Sequence, residues 1–136
     1  MAARRKARKR AVDLLFEAEQ RQVDTTALLE ERMHDPERPA TGYTVEVVAG
    51  VAEHRERIDE VLQTFSHGWA LDRMPAVDRA VLRMAIWELL HNPEVPPEVA
   101  ISEAVGLVTD LSTDDSPRFV NGLLARVAEL RHTLQG

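Results

Sequence analysis

The stretch AVDRAVLRMAIWELL, residues 76–90, is apolar nearly all the way round a helical projection, through Val77, Val81, Leu82, Met84, Ala85, Ile86, Trp87, Leu89 and Leu90. A helix without a polar face has no side to show to water, so it belongs in the middle of a bundle. NPEVPP (92–97) breaks it, because prolines lack the N–H that continues a helix. Everything else in the chain must then supply the helices that cover it.

Working outward, the same three-and-four spacing recurs on both sides. Towards the C-terminus, Glu98 to Leu111 forms a helix with Ala100, Ala104, Leu107, Val108 and Leu111 inward. The polar turn STDDSP (112–117) leads into a last helix from about Arg118 to Leu134, with Asp115 or Ser116 as its cap and Pro117 in its first turn. Towards the N-terminus, Tyr43, Val47, Val51, His54, Ile58, Val61, Leu62 and Phe65 describe one long helix, ended by Ser-His-Gly at 66–68. HDPERPATG (34–42) is a loop, and a shorter helix from about Thr26 to Met33 precedes it, capped by Asp24 or Thr25. Ala7, Ala11, Leu14, Leu15 and Ala18 mark the stripe of an opening helix. No β-hairpin or repeat interrupts this pattern. The expectation is an all-α fold of six or seven helices packed as two three-helix bundles. It forms a single domain over 1–136, with subdomains of about 1–66 and 67–136.

The 136 residues suffice for one domain with its own core, so no metal or disulfide is needed to hold it. There is no cysteine, which excludes thiolate metal sites and cysteine nucleophiles and fits a reducing cytosol. No apolar run is long enough for a membrane span, and the charged N-terminus lacks the apolar segment of a secretory signal. The expected location is the cytoplasm.

Net charge is −6, from 17 basic and 23 acidic residues, but it is unevenly spread. Arg4, Arg5, Lys6, Arg8, Lys9 and Arg10 stand in the first ten residues with no acid among them. An acidic body repels a polyanion, so any nucleic-acid contact is confined to this end. With Arg4 at zero on a helical wheel, the Ala/Leu stripe centres near 315°, whereas Arg5, Lys9, Val12 and Phe16 fall at about 80–140°, forming a second ridge. Cations at a helix N-terminus oppose the macrodipole, so they do not serve the helix itself. Phosphate contact gives them a role. A second face lies in DDSPRFVNGLL (114–124), where Phe119 sits on the rim of the apolar stripe, close to a helix N-terminus. Such an aromatic suits a single-stranded base, and Asp115 and Asn121 offer hydrogen bonds to base edges.

Enzyme chemistry finds no support. Glu31/His34, Glu88/His91 and Glu129/His132 have the i, i+3 spacing of di-iron ligands, but each histidine stands near a helix end, where capping explains it. No phosphate-cradling glycine loop or nucleophile elbow occurs, and Ser66–His67 is mere adjacency. The expectation is a non-enzymatic protein with no cofactor and no metal.

The segments ARRKARKRAVDLLF (3–16), VDRAVLRMAIWEL (77–89), VPPEVAISEAVGLV (95–108) and DSPRFVNGLLARV (115–127) resemble the NusB family of bacterial antitermination factors, over nearly the whole chain. NusB-like domains also begin some ribosomal-RNA cytosine methyltransferases. This chain stops before any catalytic domain, so the expectation is the free-standing factor. The resemblance implies binding of single-stranded boxA RNA of ribosomal operons together with NusE, a small-subunit ribosomal protein. It implies joining NusA, NusG and RNA polymerase in a processive complex. It also implies an RNA surface of Arg4, Arg5, Lys6, Arg8, Lys9, Arg10, Phe16, Asp78, Asp115, Arg118, Phe119 and Asn121 in this chain. Phe16 stands where relatives carry tyrosine; it can stack but has no hydroxyl to donate. The alternative is a helical protein-binding or homodimerising module without sequence-specific RNA binding.

Overall fold

The computed structural model describes residues 2–66 and 69–134; His67 and Gly68, in the expected helix stop, lie outside them. Seven α-helices and no strand occur among the described residues. They are α1 (Ala2–Arg21), α2 (Thr25–Met33), α3 (Gly42–Glu53), α4 (Arg55–Phe65), α5 (Ala76–His91), α6 (Pro97–Leu111) and α7 (Ser116–Leu134), with a 3-10 turn at Leu71–Arg73.

The all-apolar stretch is indeed the centre. α5 packs against α1, α3, α4, α6 and α7, and Leu82, Met84 and Ile86 are wholly buried. Around it, α1, α2 and α3 pack on one another, and α6 and α7 pack with α5. α4 lies against both α5 and α7 and bridges the two groups. Polar residues of α5 are buried too, and its arginines find opposite partners. Arg83 bonds Asp59 of α4 at 2.9 Å and Glu19 of α1 at 2.7 Å, and Arg79 also holds Glu19. Desolvation pushes the Glu19 carboxyl up, but the two guanidiniums outweigh it and bring the pKa down to about 2. These pairs and the Arg8–Glu88 bridge run α1 antiparallel to α5.

Local signals explain most helix ends. Asp24 caps α2 by accepting from the Ala27 N–H at 2.9 Å. α1 ends with Gln22 at φ 55°, while Val23 N–H reaches Ala18 O and Gln22 N–H reaches Glu19 O. This is the Schellman pattern, with glutamine where glycine is usual.

The long helix expected from Tyr43 to Phe65 is two helices. The break is at His54, with φ −107° and ψ 18°; its N–H still reaches Gly50 O and its carbonyl accepts from Ile58 N–H. One residue in this bridge conformation turns the axis without shifting the three-and-four register, so the spacing runs on unbroken. The turn lets α3 lie on α1 while α4 crosses to α7. The His54 ring stacks on His91 at 3.8 Å between centroids. Tight approach also fixes α3: a Cβ added at Gly50 would lie 2.2 Å from Trp87 Nε1. Gly50→Ala is therefore expected to cost about 1–3 kcal/mol by overpacking, read as a lower urea midpoint with an unchanged m-value.

Candidate nucleic-acid interface

The first turn of α1 carries no acid, and its cations divide by what surrounds them. Arg5 and Lys9, four residues apart, share one face, with side chains 69% and 54% exposed. Lys6 is exposed beside them. Arg4 lies over the Tyr43 ring, 4.3 Å from its centroid. Arg10 donates to the Arg38 carbonyl at 3.0 Å.

Arg8 departs from the expected surface. It is buried, with its Nε donating to Glu88 at 2.9 Å and its Nη1 near Glu103 at 3.5 Å. Tyr43 Oη also donates to Glu88, and Asn92 donates to Tyr43 Oη at 3.1 Å. Burial, then the hydrogen bond to the Glu88 carboxylate, pushes the Tyr43 hydroxyl pKa well up. Arg8 thus joins α1 to α5 and has no open side for a phosphate. Val12, assigned to the exposed ridge, is buried in the core, because the apolar stripe of α1 is wider than its Ala/Leu positions. Phe16 is half-buried and packed against that core.

Arg5, Lys6 and Lys9 line one wall of a groove of about 530 Å³ between α1 and α6. The other wall carries Glu103 and Asp110. Arg5 Nη2 pairs with Glu103 at 3.2 Å, which raises the Arg5 pKa further. A Cβ added at Gly106 would meet nothing within 4 Å, so the groove is open at its middle. α1 and α6 run in the same direction here, since Arg5 faces Glu103 and Lys9 shares the groove with Asp110. The groove therefore runs towards the C-terminal end of α6, which leads into the α6–α7 turn.

At that turn the expected residues again divide. Asp115, Arg118 and Asn121 are exposed. Asp78 is not: it is 1% exposed and accepts from Ser116 Oγ at 2.8 Å, with its other oxygen buried and without a partner. It ties the first turn of α5 to the first turn of α7 and acts on the surface only by placing α7. Ser116, one of the two cap candidates, is the first residue of α7; its hydroxyl donates to Asp78 and its oxygen accepts from Thr113 N–H at 3.3 Å. Phe119 is half-buried, and its ring stacks on Trp69 at 5.1 Å and 26°. Trp69, 45% exposed, escaped the sequence reading. The available signal was a tryptophan outside every helical stripe, immediately after the Ser-His-Gly break.

The Glu-x-x-His pairs do not build a common site. Glu88 belongs to Arg8 and Tyr43, while the His91 ring lies on His54. His34 sits at the C-cap of α2, its Nδ1 2.9 Å from Glu30 O. Among the described residues no group of three or more His, Asp and Glu side chains converges as a metal site would require.

A model of the NusB family matches residues 5–129, which includes both walls of the groove and the first turns of α7. The chain belongs to the NusB family. The transcription antitermination protein NusB of Beutenbergia cavernae is 57% identical to it, over 99% of this chain and 95% of that protein. T. maritima NusB shares the fold with a TM-score of 0.80 at 34% identity, covering 93% of this chain and 90% of the other. A chain of the complex of antitermination factors NusB and NusE with double-stranded RNA superposes with a TM-score of 0.79 at 24% identity, covering 95% and 98%. At that identity the likeness concerns the NusB fold. The two-bundle NusB architecture is thus what this sequence adopts.

Proposed function

We propose that this NusB-family chain is a non-enzymatic antitermination factor that binds single-stranded boxA RNA of ribosomal operons together with NusE. In this reading it joins NusA, NusG and RNA polymerase in the cytoplasm. The observation that carries the reading is the groove between α1 and α6, open to solvent, with Arg5, Lys6 and Lys9 along one wall. Family membership supports it, and the complex of a same-fold NusB with NusE and RNA supports the choice of partner. The RNA backbone follows the three cations, while Asp115 and Asn121 meet base edges and Phe16 and Phe119 supply ring surface. Arg118 adds a charge beside them. Glu103 and Asp110 on the opposite wall repel phosphate, so the strand keeps to the α1 side and affinity without the partner is modest.

The salt dependence tests this directly. Three phosphate contacts predict that log K falls with log salt at a slope of about −2, at about −0.7 per contact for a single strand. Titration of boxA RNA at several salt concentrations, with a scrambled RNA as control and with and without NusE, measures it. A flat salt response, or equal affinity for the scrambled strand, overturns the proposal.

A further inference from the structure

Trp69, the outer member of the aromatic pair beside α7, is the more exposed of the chain's two tryptophans, 45% against 6% for Trp87. Its position is nonetheless fixed. The Trp69 carbonyl accepts from Ser66 Oγ at 2.7 Å, its N–H donates to Ser66 O at 3.3 Å, and Ser66 is buried. One face of the indole is backed by Phe119 in a near-parallel stack. A large apolar ring held in place, supported on one face and open to solvent, contributes little to the core and keeps apolar surface in water. The same stack covers one face of Phe119. A base approaching from that side meets tryptophan first.

We propose that Trp69 is the outer stacking surface of the interface, on which an unpaired RNA base lies with Phe119 behind it. This rests on the RNA reading above. Indole has the largest π-face available to a base, and stacking on a rigid ring spares the ordering cost of a mobile one. Arg118 and Asn121 are exposed on the first turns of α7, the helix that carries Phe119.

The test is a fluorescence titration of the full chain with single-stranded boxA RNA. Trp87, buried against Gly50, provides a background that RNA does not reach. The expected result is quenching of the exposed tryptophan on binding. Trp69→Ala binds about tenfold or more weakly, as loss of one stacked base implies. Trp69→Phe recovers most of that affinity, and melting temperatures stay close to wild type. If Trp69→Ala binds boxA RNA like wild type while Arg5→Glu/Lys9→Glu abolishes binding, the basic groove stands and the Trp69 proposal is overturned. The proposal also fails if Trp69→Ala weakens only NusE binding, because the ring then serves a protein. If the wild-type chain binds no RNA, with or without NusE, the functional reading fails and this inference fails with it.

Discussion

Glu88→Ala is expected to lower the melting temperature by about 10–20 °C, corresponding to about 3–5 kcal/mol for breaking one side of a buried ion pair. The Glu88 side chain is fully buried, and it holds Arg8, whose own side chain is 3% exposed. Without the carboxylate, the guanidinium keeps the longer contact to Glu103 at 3.5 Å and its place over the Tyr43 ring, 5.5 Å from the centroid. Tyr43 Oη is deprived of its acceptor as well. Most of the cost is the buried charge on Arg8, left with the longer Glu103 pairing in place of its 2.9 Å partner. That makes the effect reversible by a second change. Arg8→Met with Glu88→Met removes both charges and keeps the volume, so it should regain most of the stability. Thermal unfolding followed by far-UV circular dichroism measures all three proteins. The double variant also tests the assignment of Arg8: as an interhelical tie it can be replaced with RNA binding preserved, whereas a phosphate contact could not.

Arg5→Glu with Lys9→Glu is expected to weaken boxA RNA binding on the order of 100-fold or more, and to flatten the salt slope from about −2 towards −1 or less. Both side chains reach solvent from the groove wall, and reversing them leaves Lys6 alone among acids, with Glu103 and Asp110 on the facing wall. The fold should not respond. Arg5 with Glu103, and Lys9 with Asp13 at 3.4 Å, are surface ion pairs of the kind that contribute about 0–1 kcal/mol, so removing them costs little. Acids in the first turns of α1 are also favoured by its dipole. Wild-type RNA affinity in this variant would mean that the strand lies elsewhere on the molecule.

Much of the architecture was legible in the chain because helical burial is periodic. The continuous apolar surface of residues 76–90 required a central helix, and the three-and-four stripes on either side supplied its cover. Prolines and glycines marked the 34–42 and 92–97 loops, and Asp24 marked the start of α2. The concentration of cations in the first ten residues was equally visible, since net charge along a sequence needs no coordinates.

What could not be read was the pairing of polar residues across the fold. Arg5 and Arg8 look alike in RRKARKR, three residues apart; only the approach of α5 brings Glu88 to one of them and leaves the other facing the groove. Asp78 looks like a surface acid in a first turn until Ser116 of α7 closes over it. The bend at His54 has no local breaker or change of spacing to announce it, and the break before Trp69 marks a loop without showing that its ring meets Phe119 of α7. Apolar periodicity is a property of one helix, whereas whether a charged or aromatic side chain meets water depends on a neighbour far away in sequence, and that neighbour is set only when the helices pack.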